Sequence, residues 1–157
     1  MRSTDPSHVA LRPATAEDAR AVADVHLRAR AAAPMPPSVH AETEVRAWLA
    51  ARINPDEVAD EVWVAEVDGT VVGYARFTTT WLDDLYVDPG AQGSGIGTAL
   101  LDVVKALRPG GFSLWVFESN LPARAFYAAQ GLVEREHTDG ADNEERAPDV
   151  RMEWPAG

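Results

Sequence analysis

Cysteine is absent from the 157-residue chain. That excludes disulfide scaffolds, cysteine-bound zinc, iron–sulfur clusters and a thiol nucleophile. Lysine is nearly absent: Lys105 stands alone among 14 basic residues, and the rest are arginine. The 25 acidic residues outnumber them, for a net charge of −11. Such a surface suits neither nucleic acid nor an anionic membrane, because phosphate binding needs clustered Lys and Arg. It can steer cationic substrates, or serve solubility alone. No apolar run approaches the roughly 20 residues of a membrane helix. Met1–Ala10 also lacks the apolar core of a leader peptide. The expectation is a cytoplasmic protein of one domain, 1–157, by the prior of roughly 100–200 residues per domain.

What is present is a regular succession of elements. His8–Pro13 reads as a strand. Thr15 and Asp18 have the spacing of a capping box and open a helix that runs to Ala32, where Pro34, Pro36 and Pro37 stop it. Val45, Trp48, Leu49 and Ile53 recur at helical spacing over Ala41–Ile53, with Asn54-Pro55 as the stop. The period then changes to two. Glu61–Val67 and Thr70–Thr80 flank Asp68-Gly69, a turn pair that takes positive φ, so a hairpin is predicted. Gly73 inside the second strand marks a bulge. Leu82–Val87 is a third strand of the meander. A glycine-rich loop and a helix over Gly97–Leu107 follow, then the apolar strand Phe112–Phe117. Asn120 caps a further helix, with Gly131 just past its end. Leu132–His137 and Asp149–Trp154 are strands around an acidic connection, Thr138–Pro148. The order predicts a mixed α/β domain with one central sheet of about seven strands flanked by about four helices.

The stretch from Leu85 to Thr98 is the most informative. It sets several glycines between a strand end and a helix start, where backbone N–H groups and the helix dipole make an anion site. A bare turn is the bland alternative. A Walker A loop is excluded, since Thr98 and Ala99 stand where Lys-Ser or Lys-Thr is needed. The dinucleotide fingerprint would read Gly93, Gly95 and then Thr98, so its third glycine is missing. Glu118 does lie near the spacing of its acid, but the preceding meander is the wrong context. The four histidines His8, His26, His40 and His137 show no metal-ligand spacing, so no metal is expected.

Gln92-Gly-Ser-Gly-Ile-Gly97 resembles the Q/R-x-x-G-x-G/A motif of the GNAT N-acetyltransferases. Asn120-Leu-Pro-Ala-Arg-Ala-Phe-Tyr-Ala-Ala-Gln-Gly-Leu132 resembles the family's second motif, with Leu132 in place of its final Phe. The order of elements also fits that family from first strand to last. The resemblance implies an acetyl-CoA cosubstrate and transfer to the amine of a small molecule or peptide. Backbone groups of Leu85, Tyr86 and Val87 would hold the pantetheine arm, with the Val87 N–H facing the thioester oxygen. Gln92, Gly93, Ser94, Gly95, Ile96, Gly97 and Thr98 would cradle the pyrophosphate, and Asn120 and Ala123 would border the arm. Tyr127 stands where the family keeps a general acid for the departing thiolate. A homodimer is compatible with the resemblance.

An alkylammonium with a pKa of about 10 must lose a proton before it attacks. The candidates are Asp83, then Glu118, then Asp84. Strand alternation brings one of the two aspartates to the acceptor side, and a bulge would bring both. With no cysteine, direct transfer in a ternary complex is the economical route. A module of the same fold that binds acyl-CoA without catalysis is the alternative, though it has no need of Tyr127 or the acids. Arg108 and Arg124 are further candidates for CoA phosphates. The acidic connection 138–148 reads as a lid, a dimer contact or a solvated loop.

Overall fold

A computed structural model describes residues 8–53 and 60–155. The expected helix stop at Asn54-Pro55 and the first seven residues lie outside them. The elements are β1 (Val9–Pro13), α1 (Ala19–Ala32), α2 (Glu42–Ile53), β2 (Glu61–Val67), β3 (Thr70–Phe77), β4 (Leu82–Val87), α3 (Ile96–Leu107), β5 (Phe112–Phe117), α4 (Leu121–Ala129), β6 (Val133–Thr138) and β7 (Asp149–Trp154). Element types and order agree with the sequence reading, and the bounds differ by a residue or a short turn. Asp68 and Gly69 both have positive φ, as the hairpin requires. The bulge expected around Gly73 is there, as a register shift opposite Ala65 and Glu66.

One correction concerns the sheet. In place of a single continuous ladder there are two, β1-β2-β3-β4 and β5-β7-β6, each antiparallel. They meet at one parallel bridge, Trp81 with Ser113, where the Ser113 N–H donates to the Thr80 carbonyl at 2.9 Å. Beyond that bridge β4 and β5 part, and helical residues line the gap.

Apolar residues on the two faces of the sheets form separate cores. On one face Val22, Val25, Leu49 and Ile53 of α1 and α2 pack on Val62, Val64 and Tyr74. On the other, Ile96, Leu100, Leu101 and Val104 of α3 pack on Ala75, Phe77, Leu114 and Met152. Each fully buried aliphatic or aromatic side chain contributes roughly 1.5–3 kcal/mol. Gly73 lets α3 lie close: a Cβ there would sit 3.1 Å from Leu100 Cδ1 and 3.2 Å from Ile96 Cγ2.

The start of α1 is tied to β1 by charge. Asp18 accepts from the Thr15 N–H at 2.8 Å and from Arg12 Nη1 at 2.7 Å. The Arg12 hydrogen bonds hold the Asp18 carboxyl down at about 2. A lowered folded-state pKa means stability that is present above the unfolded value and lost as pH falls towards about 2. Asp18→Asn is therefore expected to cost about 1–2 kcal/mol near neutrality, allowing for screening at the partly exposed Arg12. The gap between wild type and variant in urea midpoints should narrow as pH drops below about 4; a gap independent of pH would remove this ion pair as the cause.

Candidate active site

The parting of β4 from β5 leaves one edge of β4 free. The Asp88 N–H donates to the Val72 carbonyl at 2.7 Å, which sets the phase of the β3–β4 ladder. Antiparallel pairs alternate, so Tyr86 and Asp84 turn their backbone groups to Tyr74 and Arg76. Leu85 and Val87 turn theirs the other way, into the gap. The Val87 carbonyl confirms the direction, since it accepts from the Gln92 side-chain amide at 3.1 Å.

The gap is a cleft of about 540 Å³. Leu85, Tyr86 and Val87 form one wall. The loop residues Gln92, Gly93 and Gly95 and the α3 residues Ile96, Gly97 and Thr98 form its floor. Asn120, Ala123 and Tyr127 close the opposite side, and Ala29, Ala33 and Pro34 cover the α1 end. The structure thus brings together the expected binding residues, with one exception. Ser94 does not line the cleft; its hydroxyl donates to the Ala91 carbonyl and braces the turn.

Local chemistry shapes the floor. Asp88 accepts from the Gly90 N–H at 3.1 Å and from Arg28 at 2.8 Å, which fixes the loop to α1. Gly93 and Gly95 take φ of 83° and 86°, a region costly for residues with a Cβ. Gly95 is the N-cap of α3 and no side chain caps that helix, so its first amides stay open to an anion. A Cβ on Gly97 would lie 3.4 Å from Phe126 and take up space in the cleft. Among the described residues, no cationic side chain lines the cleft. Arg108 is bound to Glu61 and the Thr78 carbonyl, and Arg124 to Glu134, so neither faces it. Asn120 accepts from the Ala123 N–H and caps α4.

Tyr127 is buried, with its ring edge-on to Phe126 at 5.3 Å. Burial, with the negative charge of Asp84 and the proximity of Tyr86, pushes its hydroxyl well above the usual tyrosine value. Tyr86 is pushed up to about 12, chiefly by burial and then by Asp84.

The three candidate proton acceptors stand elsewhere. Asp83 is the extra residue where the β3–β4 register shifts, and the bulge brings both aspartates to Arg76. Asp84 meets Arg76 Nε at 2.8 Å and Asp83 meets Nη1 at 3.7 Å, while Asp60 adds a third contact at 2.7 Å. Burial raises the Asp83 carboxyl, against the pull of Arg76. Glu118 is exposed on the turn before α4, where its backbone bonds Pro148 and Arg124. None of the three lines the cleft.

Two features escaped the sequence reading. His26, read there only against metal spacing, puts Nδ1 2.8 Å from the buried Tyr74 hydroxyl and packs edge-on to Tyr86 at 4.9 Å. The helical spacing of Val22, His26, Ala29 and Ala33 was the available signal. The acidic connection is also pinned: Glu145 pairs with Arg30 at 3.1 Å and Glu144 with His40 at 2.8 Å.

A model of the acetyltransferase (GNAT) family matches residues 26–132. The chain belongs to this family. The match takes in β4, the glycine loop and α4, hence the whole cleft. This places the acetyltransferase among acetyl-CoA-dependent acyltransferases. It is 34% identical over 114 residues to an uncharacterized N-acetyltransferase of Archaeoglobus fulgidus, across 62% of this chain and 72% of the relative. It is 36% identical over 72 residues to the peptidyl-lysine N-acetyltransferase YjaB of Salmonella typhimurium, across 45% of this chain and 49% of that one. The match thus spans about half the length of YjaB. The fold is that of YncA from Salmonella typhimurium, a structure with its cofactor acetyl-CoA, at a TM-score of 0.73 and 20% identity over 96% of this chain and 95% of that one.

Two glycines of the floor should respond oppositely to the same substitution. Gly95→Ala is expected to lose about 1–2 kcal/mol from backbone strain. Gly97→Ala, at an ordinary helical φ, is expected to hold or gain up to about 1 kcal/mol. Urea denaturation of both variants checks this, and equal losses would remove the backbone argument.

Proposed function

We propose that the acetyltransferase moves the acetyl group of acetyl-CoA directly to a primary amine within a ternary complex. The observation that carries this is one cleft joining a free strand edge at Leu85 and Val87 to an uncapped helix N-terminus at Gly95. A pantetheine arm carries amides that can pair with such an edge, and a pyrophosphate suits the open amides of α3. Acetyl-CoA supplies the thioester carbonyl that the amine attacks.

The Val87 N–H points into the cleft, where it can stabilise charge on the carbonyl oxygen. Tyr127 keeps its proton at neutral pH and can hand it to the departing thiolate. Without cysteine no thiol-linked acyl-enzyme forms. Asp60, Asp83 and Asp84 around the single Arg76 leave that end of β4 net negative, which favours a cationic acceptor. The likeness to YjaB makes a peptide lysine the first acceptor to try, followed by small amines. Among the described residues no helix is long and apolar enough to cross a membrane, and we place the reaction in the cytoplasm.

Acetyl-CoA at a hundredfold excess over its Kd is expected to stabilise the fold by about 2.7 kcal/mol in a melting experiment, with NAD inert. Absence of a shift with millimolar acetyl-CoA would overturn the cosubstrate. Tyr127→Phe is expected to keep the shift and lose about 10²–10⁴-fold in kcat. Wild-type turnover in that variant at every pH would remove Tyr127 from proton transfer.

A further inference from the structure

Two indoles stand beside the bridge that joins the ladders. Phe112, Leu114 and Val116 of β5 turn to the core under α3, so Ser113, Trp115 and Phe117 turn to the side of α1. Arg30 of α1 lies over the Phe117 ring at 5.9 Å and confirms that side. There Trp115 is 44% exposed. Trp81, at the bridge itself, lies parallel to it, with ring centroids 6.4 Å apart and planes 9° apart. Other tryptophans of the chain carry cations: Trp48 lies against Arg76 at 4.5 Å and Arg52 at 5.1 Å, and Trp154 against Lys105 at 5.4 Å. Among the described residues no cation lies over Trp81 or Trp115. Resting on the acetyl-transfer reading, we propose that Trp115, backed by Trp81, is the docking platform for a peptide acceptor and takes a basic side chain within about three residues of the reacting lysine.

Charge beside the pair suits a cation. The face of an indole attracts one through its quadrupole, arginine most often. On the β4 side, Asp60, Asp83 and Asp84 share one guanidinium, that of Arg76. Asp60 and Asp84 are nearly buried against it, whereas the Asp83 side chain is 35% exposed and stands 3.7 Å away. Asp83 follows Trp81 by two positions, so it is the carboxylate that an incoming cation meets. On the β7 side Arg151 lies opposite Trp115. It is held by Glu136 at 3.1 Å and Glu153 at 3.9 Å, and Glu153 also pairs with Arg135. Two arginines and two glutamates cancel there, which leaves the β4 side to set the sign.

The spacing selects a peptide over a small monoamine. β4 and β5 run parallel from the Trp81–Ser113 bridge. Trp115 lies two residues past Ser113, and Val87 six past Trp81, one of which is the bulged Asp83. The Val87 N–H is therefore about three residues, or about 10 Å along the strands, beyond Trp115. An extended peptide covers that span in about three residues. A lysine that delivers its amine to the thioester then sets a neighbouring side chain over the indole. A small monoamine does not reach both places.

Turnover of short peptides at saturating acetyl-CoA tests this. Each has blocked ends and one central lysine. Arginine stands three residues before the lysine in one peptide and three after it in another. Citrulline, which keeps the shape and drops the charge, replaces arginine in the controls. The wild type is expected to favour at least one arginine peptide about 3–30-fold in kcat/KM, chiefly through KM. Trp115→Ala is expected to bring that ratio close to one, with the citrulline peptides and the acetyl-CoA melting shift unchanged. Trp115→Phe should restore part of the preference. Should Trp115→Ala fail to fold, Trp115→Gln removes the π face and keeps bulk. Equal use of arginine and citrulline peptides by the wild type overturns the proposal, as does a preference that survives loss of the indole. Turnover of small monoamines with no peptide used also overturns it. Absence of the acetyl-CoA shift in the wild type would instead strike the cosubstrate reading. Calorimetric titration with the same peptides would then still decide the platform: tighter binding of arginine that is lost in Trp115→Ala supports it, and equal binding overturns it.

Discussion

Everything at the cleft depends on two neighbouring strands that pair once and then separate. The Trp81–Ser113 bridge joins the ladders, and the Ser113 N–H to the Thr80 carbonyl is its hydrogen bond. Unpaired backbone groups are normally a liability at a sheet edge. Here the liability is contained, because α1, α3 and α4 border the gap and Gln92 folds back onto the Val87 carbonyl. A strand edge is thus kept open to a ligand-sized partner and shielded from another protein strand.

Charge is organised around arginine at the other end of β4. One guanidinium, Arg76, holds three carboxylates and lies against the face of Trp48 at 4.5 Å. Planar, permanently charged and rich in donors, arginine can satisfy such a cluster where a lysine could not. Arg30 does similar work at the end of α1, tying the acidic connection 138–148 to it through Glu145. A loop that looks too acidic to pack is thereby ordered against the residues that border the cleft.

The elements and the glycine-rich floor of the cleft were legible in the sequence because their signals are local. Positive φ at Asp68, Gly69, Gly93 and Gly95 follows from residue type within a few positions, and α3 shows its apolar stripe directly. The gap between β4 and β5 was not legible, since strand identity does not say which strands stay paired along their length. The aspartate pair shows the boundary clearly. Both residues and the bulge could be named from Asp83 and Asp84, but their partner Arg76 lies on another strand and Asp60 on the loop before β2. His26 fails for the same reason: its meaning comes from Tyr74, 48 positions away.

Among the described residues, the floor of the cleft offers main-chain amides and no cationic side chain. Amides carry no net charge and do not titrate, so the strength of such a cradle changes little with pH and is less exposed to ionic strength than a cluster of lysines. It also tolerates replacement of most side chains around it, provided that no Cβ enters at the glycines. A pocket written in the backbone can persist while the sequence drifts, which fits a fold shared at 20% identity. Selection on the walls is then free to change the acceptor without rebuilding the floor.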